Sequence, residues 1–468
     1  MASTEYDLVP YPAMPRQQTH PDRLATVGKL FGMSPAPVER CRVLEIGCSD
    51  GGNLIPMACA LPECRFVGVD LSAREIAAGQ RVVEDLALDN LTLRAGDLRE
   101  IDADWGEFDY ILAHGLYSWV PEEVRERLLA VCRERMAPEG IAYISYNAYP
   151  GGYARQMLRE MMLYHARHAR STAEKIGKAR ELLQQLQRAD TLSPHWQAVR
   201  TEEAQLLLDR DEWALYHDEL ADRNDRFYFH QFADAAHRHD LEYLGEAEPH
   251  EMFDPKGMLT GFQGNVFEFE QSLDFLKGRR FRQTLLCRAE KQLSRQTTVQ
   301  QMADFLFSAP GRRLENGQIE GARGVCIGTS NEAAIAIATA LGDVYPLPVA
   351  FEELIPYAGS AEVLAPMLYE MMIVGFVDLH VFDFPCQDSV TERPRATRLA
   401  RYQAARSEEV TSVCHMNIKL DEIGRRLVVL SDGTRTQAQI ASELKVARAR
   451  EMVGPCLEWL ASHGLLDG

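Results

Sequence analysis

Small residues and a carboxylate follow one another near the N-terminus in a pattern that suits a nucleotide-like ligand. Residues 43–54 predict a buried strand, a turn of small residues and the start of a helix, and Asp70 ends the next apolar strand. Gly47 and Gly51 permit positive φ, so the backbone can approach a ligand at the helix N-terminus. Asp70, about twenty residues after the turn, can accept both hydroxyls of a ribose.

The spacing within this turn indicates which nucleotide is bound. A dinucleotide fingerprint would read G-x-G-x-x-G, whereas the chain reads Glu45-x-Gly47-x-Ser49-x-Gly51, with its acidic residue inside the strand. The turn therefore resembles the first motif of the class I S-adenosylmethionine-dependent methyltransferases. This resemblance implies a Rossmann-like α/β sheet and S-adenosyl-L-methionine as the cofactor. A similar sheet for another nucleotide, or one with an inactive site, is the alternative.

Three further segments resemble this family in order along the chain. Gly96-Asp97-Leu98 follows an alternating segment, residues 108–114 predict a fourth strand, and residues 138–146 predict a turn and a fifth strand. Asp97 is expected to accept from the adenine amino group, and the fourth strand ends at the sheet edge where substrates meet the cofactor. The resemblance implies these cofactor-binding residues: Tyr11, Glu45, Gly47, Cys48, Ser49, Gly51, Asn53, Asp70, Leu71, Asp97, Leu98 and His114.

A narrower resemblance is carried by segments outside this shared core. Residues 6–12, 19–24, 113–121 and 145–151 are similar to the bacterial methyltransferases that carry a methyltransferase regulatory domain. That family includes the rickettsial protein lysine methyltransferases. The similarity extends along the full chain and is densest before residue 165 and from Phe227 to Arg288. It implies a protein or peptide substrate.

The ends of the fourth and fifth strands carry the candidate catalytic residues. These are His114, Tyr117 and Trp119 after the fourth strand, and Tyr146, Asn147 and Tyr149 after the fifth. We expect Trp119 and Tyr149 to attract a cationic methyl or amine group through cation–π contacts of about 0.5–2 kcal/mol each. His114 either accepts a proton, only forms a hydrogen bond, or is a polar cap of the strand.

The N-terminal segment suggests a lid over the cofactor. Tyr6, Pro10 and Tyr11 are aromatic or stiff where an ordinary tail would be polar, and residues 19–22 follow them. The alternative is simple helix initiation, with Thr19 as the N-cap and Pro21 in the first turn.

Composition limits the compartment and the partners. The 468 residues carry a formal net charge of −19, which disfavours broad contact with nucleic-acid phosphates. We expect a cytoplasmic protein without a membrane span, because no basic segment followed by an apolar run and no stretch of about eighteen apolar residues occurs. The ten cysteines contain no C-x-x-C pair, so neither a metal site nor a disulfide framework is expected.

The pattern of predicted elements divides the chain into five parts. Residues 1–153 and 226–290 are expected to form the methyltransferase domain, with 154–225 as a helical insertion that provides a homodimer interface. Residues 296–384 predict a winged-helix-like domain, 385–411 a polar linker, and 412–468 a small C-terminal winged-helix-like domain. These last domains dock a protein or peptide, or are architectural or dimerising.

Three functions from different classes remain open. The first is methylation of lysine side chains in a protein, the second is methylation of a small metabolite or natural product, and the third is a cofactor-binding regulator without turnover. For the first, a lysine amine has a reference pKa of about 10.4 and must become neutral, which a partly apolar aromatic pocket favours.

Overall fold

The computed structural model describes residues 14–188, 193–259, 265–386, 390–446 and 448–467. The strands of its main sheet are β1 Arg42–Ile46, β2 Arg65–Asp70, β3 Leu91–Ala95, β4 Phe108–Ala113, β5 Met136–Ala148, β6 Arg226–Phe227, β7 Leu241–Glu246 and β8 Phe281–Arg288. The helices along the same part of the chain are α1 Pro21–Leu30, α2 Leu54–Ala60, α3 Ala73–Asp85, α4 Glu122–Arg135, α5 Gly152–His165, α6 Thr172–Arg188, α7 Pro194–Leu208, α8 Glu212–Ala214, α9 Phe229–Arg238 and α10 Val266–Lys277.

The main sheet has the order β3-β2-β1-β4-β5-β8-β7, and β6 pairs with the end of β5. Strands β1 to β5 are parallel to one another, whereas β8 is antiparallel to both β5 and β7. Strands β1 and β4 are buried along most of their length, as expected for parallel strands covered by helices on both faces. The Rossmann-like sheet expected from the sequence is therefore confirmed, and its predicted last strand, residues 281–288, is β8.

Strand β5 differs from the predicted turn and strand. The pair Phe108–Met136 is followed by the pair Tyr110–Ile141, so β5 has more residues than β4 between these two pairs. The predicted turn is thus a bulge within one long strand. A β-carbon at Gly140 would lie 2.6 Å from the Met136 side chain, so the bulge is tight enough to require glycine.

Helix α1 is buried on nearly every side. All of its residues except Lys29 are buried, and it packs against both the sheet and the C-terminal part of the chain. Its N-cap is His20, whose Nδ1 accepts from the Asp22 N–H at 3.2 Å. Thr19, the N-cap expected from the sequence, instead donates from its hydroxyl to the Arg16 carbonyl at 2.8 Å. Residues 19–22 therefore start a core helix and do not form a lid.

The segment between β5 and β6 is helical, and its helices cover one another. Helices α5, α6 and α7, with a π-helical turn at Leu215–Leu220, share one apolar core. The large apolar side chains that stay exposed there are few, and they include Tyr164, Val199 and Leu206. Most of the apolar face that we expected a second copy to cover is thus buried within one chain.

The C-terminal part contains two small units. Its strands are β9 Leu306–Ser308, β10 Arg312–Arg313, β11 Ile319–Glu320, β12 Cys326–Ile327, β13 Val349–Ala350, β14 Asp378–His380, β15 Glu409–Thr411 and β16 Asn417–Lys419. Its helices are α11 Glu332–Val344, α12 Phe351–Ala358, α13 Ala361–Ile373, α14 Arg398–Ala404, α15 Glu422–Leu430, α16 Gln437–Leu444 and α17 Ala449–Ser462.

The first unit, the middle module, joins α11–α13 to the sheet β13-β9-β14, in which β14 pairs with the distant β9. The second unit, the C-terminal module, joins α14–α17 to the hairpin β15-β16. Residues 385–411, expected to be a linker, include α14 and β15. Ala396, Ala400 and Ala404 are buried in the core of the C-terminal module, which explains the difference.

Among the helices that the structure describes, none combines the length and apolar character needed to cross a bilayer.

Candidate functional site

The first turn of the sheet has the backbone that its sequence predicts. Gly47, Ser49 and Gly51 have φ values of 80°, 51° and 78°. Two of these left-handed positions are glycines, and the third is a serine, which adopts this conformation less readily. The turn thereby brings its backbone to the carboxyl edge of β1, and Gly47 and Ser49 line a cavity of about 1050 Å³.

Asp70 lies at the end of β2 beside this turn and lines the same cavity. The Ser49 N–H donates to its Oδ2 at 2.9 Å, and the Ser72 N–H donates to its Oδ1 at 2.8 Å. Burial raises the pKa of Asp70 above its usual value, and the two backbone donors partly oppose this effect. Each oxygen still has a lone pair, so the carboxylate is fixed in orientation and can accept two ligand hydroxyls.

Leu71, Asp97 and Leu98 form the wall beyond Asp70. Leu71 is 60% exposed although it is a large apolar residue next to buried strands. Arg99 donates to the Asp97 carboxylate, with Nη2 2.5 Å from Oδ2, and these hydrogen bonds lower the pKa of Asp97. A flat aromatic ligand here would cover Leu71, and its amino group would share the Asp97 carboxylate with Arg99.

Four predicted cofactor residues lie behind the cavity and do not line it. Asn53 donates from Nδ2 to Glu45 Oε1 at 2.9 Å, while Glu45 Oε2 has no hydrogen-bond partner among the described residues. Burial raises the pKa of Glu45 to about 7. Cys48 and Gly51 pack against the neighbouring strands β2 and β3. The twelfth predicted residue, Tyr11, lies outside the described residues, as do Tyr6 and Pro10.

His114, at the end of β4, lines the cavity and is tied to its floor. Its Nδ1 lies 2.9 Å from the Tyr143 hydroxyl, which donates to Gln283 Oε1 at 3.2 Å. Because the Tyr143 proton is used in this way, Nδ1 donates to Tyr143, and Nε2 is the acceptor that the ring offers to the cavity. Burial, with the nearby charge of Arg16, lowers the pKa of His114 to about 3. The ring is therefore neutral and suited to orient a donor.

The remaining candidate catalytic residues separate into two groups. Trp119 and Asn147 line the cavity, and Trp119 Nε1 donates to the His217 carbonyl at 3.2 Å. Tyr117 and Tyr146 are buried in the core against Phe232, with ring centroids 5.1 Å and 4.3 Å from it. Outside the cavity lining, Tyr149 stacks on Tyr153 at 4.1 Å. The structure therefore brings His114, Trp119 and Asn147 together and leaves the three tyrosines apart.

The opposite wall was missed by sequence reasoning, because it comes from the helical segment and from β6 and β8. Its charged and titratable residues are Arg155, Arg210, His217, Asp218, Glu219, Arg226 and Arg280. The π-helical turn places His217, Asp218 and Glu219 on this wall, and such turns occur often at functional sites. The sequence gives no local signal for them, since the residues near 217 read as an ordinary amphipathic helix.

Most charges of this wall are paired. Arg155 contacts Glu203 and Glu219 at 3.1 Å each, and Arg280 lies 2.6 Å from Glu203. Arg210 holds Asp218 Oδ2 at 2.5 Å. Arg210 therefore fixes one oxygen of the Asp218 carboxylate, and Asp218 is one of the residues that line the cavity. Burial raises the pKa of Asp218 above its usual value.

The arrangement as a whole fits an adenosine-containing cofactor with a second ligand beside it. The ribose-type acceptor Asp70, the exposed Leu71 and the glycine turn share one side of the cavity, while the neutral His114 and the Asp218 wall share the other. A volume of about 1050 Å³ is slightly above the range of roughly 300–1,000 Å³ for sites of one small ligand.

Three family models match the chain. Residues 43–140 match a family described as "Methyltransferase domain", and residues 211–288 match "Predicted methyltransferase regulatory domain". Residues 392–456 match "PKMT, C-terminal winged helix domain". The first match contains the glycine turn and Asp70, and the second contains Asp218 but neither Arg155 nor Arg210.

Known relatives and solved structures agree with these matches. Two uncharacterized proteins of Rickettsia prowazekii are 38% identical over 62% of this chain and 36% identical over 51% of it. The chain spans 54% of the first and 96% of the second. The structure of PKMT2 from Rickettsia typhi in complex with AdoHcy is 26% identical, covers 98% of this chain and 100% of its own, and superposes with a TM-score of 0.86. The chain therefore belongs to the class I S-adenosylmethionine-dependent methyltransferases that carry a methyltransferase regulatory domain.

Proposed function

We propose that this methyltransferase transfers methyl groups to lysine side chains of a protein substrate. The observation that carries the proposal is the extent of the likeness to PKMT2, which covers 98% of this chain. That extent includes the helical segment and both C-terminal units, which a methyltransferase sheet does not need for its own fold. A family model named for the winged helix of PKMT also matches residues 392–456.

The cofactor side of the cavity has residues for each part of an adenosine group. We assign the ribose hydroxyls to Asp70, whose orientation is fixed by the Ser49 and Ser72 amides. Leu71 covers one face of the adenine, and Asp97 accepts from its amino group. Gly47 allows the protein backbone to pass close to the part of the cofactor that extends beyond the ribose. When bound, S-adenosylmethionine supplies a methyl group activated by a sulfonium.

The acceptor side must present a neutral amine in a fixed direction. His114 Nε2 can accept one N–H of the amine and aim the nitrogen lone pair, because the ring is neutral and is held by Tyr143. Holding two reactants in this way can contribute about 7–11 kcal/mol to lowering the barrier. Trp119 is fixed by its hydrogen bond to the His217 carbonyl, so the indole can contact the aliphatic and cationic parts of the acceptor.

A proton must also leave the acceptor amine, and His114 is a poor site for it. Its pKa of about 3 means that the imidazole does not hold a proton near neutral pH. Asp218 lines the same cavity, and because Arg210 fixes its Oδ2, its other oxygen, Oδ1, is the candidate proton acceptor. We therefore assign proton acceptance to Asp218 Oδ1 and orientation of the amine to His114 Nε2.

Labelling tests the acceptor class directly. Purified enzyme is incubated with lysate proteins and methyl-labelled cofactor, and the protein fraction is hydrolysed to amino acids. Label in methylated lysine is the expected result, with the Asp70→Ala enzyme as the inactive control. Label confined to the low-mass fraction would instead identify a small-molecule methyltransferase. Cofactor binding without transfer to any fraction would identify a regulator.

A further inference from the structure

The segment from Arg16 to His20 lies between the glycine turn and the C-terminal module. The Arg16 N–H donates to Asn53 Oδ1 at 2.9 Å, and Asn53 Nδ2 donates to the Thr19 hydroxyl at 3.0 Å. On its other side, the Gln17 side-chain amide donates to the Cys414 carbonyl at 3.4 Å. One short segment therefore contacts both the cofactor motif and a module that begins almost 400 residues later.

His415 of the C-terminal module completes this contact. It is buried, and its Nε2 lies 2.9 Å from Asn53 Oδ1 and 3.2 Å from the Arg16 amide nitrogen. Its ring also lies 5.4 Å from that of His20. The backbone of His415 has φ of 57°, a conformation that non-glycine residues adopt infrequently. The loop is thus shaped to bring this imidazole to the back of the glycine turn.

Arg16 itself lines the cavity at the end formed by β1 and β4, and the sheet order places β2 between that end and Asp97, which follows β3. Its positive charge acts on His114 and on Glu45, which mark the carboxyl ends of β4 and β1. A cofactor whose adenine lies by Asp97 and whose ribose lies on Asp70 would extend past Gly47 towards this end. That end receives its amino-acid part, which carries a carboxylate.

We propose that Arg16 binds the carboxylate of the cofactor's amino-acid part, and that His415 positions Arg16 through Asn53. A guanidinium can hold a carboxylate by two parallel hydrogen bonds, which makes its placement important. The C-terminal module then contributes to cofactor affinity without touching the cofactor. The proposal depends on S-adenosylmethionine being the cofactor and not on the identity of the methyl acceptor. The labelling experiment and the binding test below can therefore fail separately.

Two ligands distinguish the contribution of the carboxylate contact to affinity from that of the rest of the site. S-adenosylhomocysteine carries the amino-acid carboxylate, whereas 5′-methylthioadenosine has the same adenosine and sulfur but lacks it. Calorimetry with the full-length Arg16→Gln variant should show S-adenosylhomocysteine binding weakened roughly 10- to 150-fold, the range for a hydrogen bond to a charged group. Binding of 5′-methylthioadenosine should stay within about twofold.

The His415→Ala variant tests the positioning role. It should weaken the binding of S-adenosylhomocysteine by about fivefold or more and leave the affinity for 5′-methylthioadenosine unchanged. In the Arg16→Gln background the same substitution should add nothing, because the two residues act as one unit. His415→Gln, whose amide can still donate to Asn53, should restore most of the affinity. His463→Ala, at a second histidine of the same module, is the matched control.

Three results would overturn the proposal. The first is an Arg16→Gln variant whose affinity falls equally for both ligands, or falls for neither. The second is a His415→Ala variant that unfolds at lower temperature but binds both ligands as the wild type does. The third is full additivity of the two substitutions. Thermal unfolding of every variant, measured without ligand, identifies any that do not fold, and the His415→Gln variant then decides.

Discussion

Asp22 offers a sharp test of how the N-terminal helix is fixed to the middle module. Its carboxylate is buried and accepts three hydrogen bonds, from the last residue of β14 and from the two residues that follow it. The Val381 and Phe382 amides donate to Oδ1 at 2.9 Å and 3.0 Å, and His380 Nδ1 lies 2.7 Å from Oδ2. The other ring nitrogen of His380 lies 2.8 Å from the Ser308 hydroxyl.

The size of the effect follows from these contacts. Asp22→Ala leaves two buried amides and an imidazole without their acceptor, and removal of one member of a buried pair costs about 3–5 kcal/mol. Asp22→Asn should cost only about 1 kcal/mol. Its oxygen still accepts from both amides, and His380 can change tautomer to accept from the new side-chain amide while donating to Ser308.

Hydrogen exchange of the Val381 and Phe382 amides measures this directly. Their protection should fall by about a hundredfold to a few thousandfold in Asp22→Ala, at about 1.4 kcal/mol for each factor of ten, and by about tenfold or less in Asp22→Asn. Unchanged protection in Asp22→Ala would refute the reasoning, because the amides would then have another source of stability.

The same carboxylate predicts a pH dependence of stability. Burial would raise the pKa of Asp22, but the contacts with His380 and with the Val381 amide outweigh it and hold the pKa below its usual value. The stabilisation is therefore complete above the unfolded value of about 3.9 and is lost as the pH falls through the lower folded value. In urea titrations, the difference between wild type and Asp22→Ala should shrink only below about pH 4. A constant difference down to pH 2 would contradict this assignment.

Three further predictions concern the cofactor, the acceptor and assembly. Asp70→Ala should weaken S-adenosylhomocysteine by about a hundredfold or more, since two charge-assisted hydrogen bonds are lost, whereas Leu71→Ala should cost about tenfold; calorimetry compares them, and equal losses would contradict the assignment. Asp218→Asn should lower kcat by about 10²- to 10⁴-fold and move the rise of the pH–rate profile towards the amine pKa of about 10.4, with S-adenosylhomocysteine affinity unchanged. The homodimer expected from the sequence would have to use the few apolar side chains that stay exposed on the helical segment, so Tyr164→Asp and Leu206→Asp should convert it to monomer in sedimentation, and a monomeric wild type would remove that expectation.

Local patterns in the sequence were sufficient to predict which residues lie on the cofactor side of the site. The glycine turn, Asp70 and the strand that ends at His114 are each set by neighbours within a few residues, and the structure places Gly47, Asp70 and His114 on one cavity. Their roles in binding and catalysis stay predictions until the variants above are measured.

The acceptor side depended on contacts that no local pattern reveals. Tyr146 and Asn147 are adjacent in β5, so they point to opposite faces, and only Asn147 reaches the cavity. Choosing between them requires knowing that α9 covers one face with Phe232. Likewise, Asp218 reaches the cavity only because a π-helical turn shifts it there.

Residues 385–411 contain a helix, α14, that their polar composition obscured. Ala400 and Ala404 lie four residues apart on one face of α14, and both are buried, as is Ala396 just before the helix. Their small size let the surrounding arginines and polar residues dominate the composition. Spacing of small apolar residues would therefore have been the better guide to α14.

The two contacts of the N-terminal segment connect the cofactor site to both C-terminal units. Coupling between sites is reciprocal for binding free energies. If the C-terminal module raises cofactor affinity through His415 and Arg16, then a bound cofactor must stabilise the docking of that module by the same free energy. S-adenosylhomocysteine should therefore slow exchange of the amides near His415, whereas 5′-methylthioadenosine should not. Since Asp22 fixes the following helix to the middle module, Asp22→Ala should weaken this response as well, which makes the segment from Arg16 to Asp22 the physical route of the coupling.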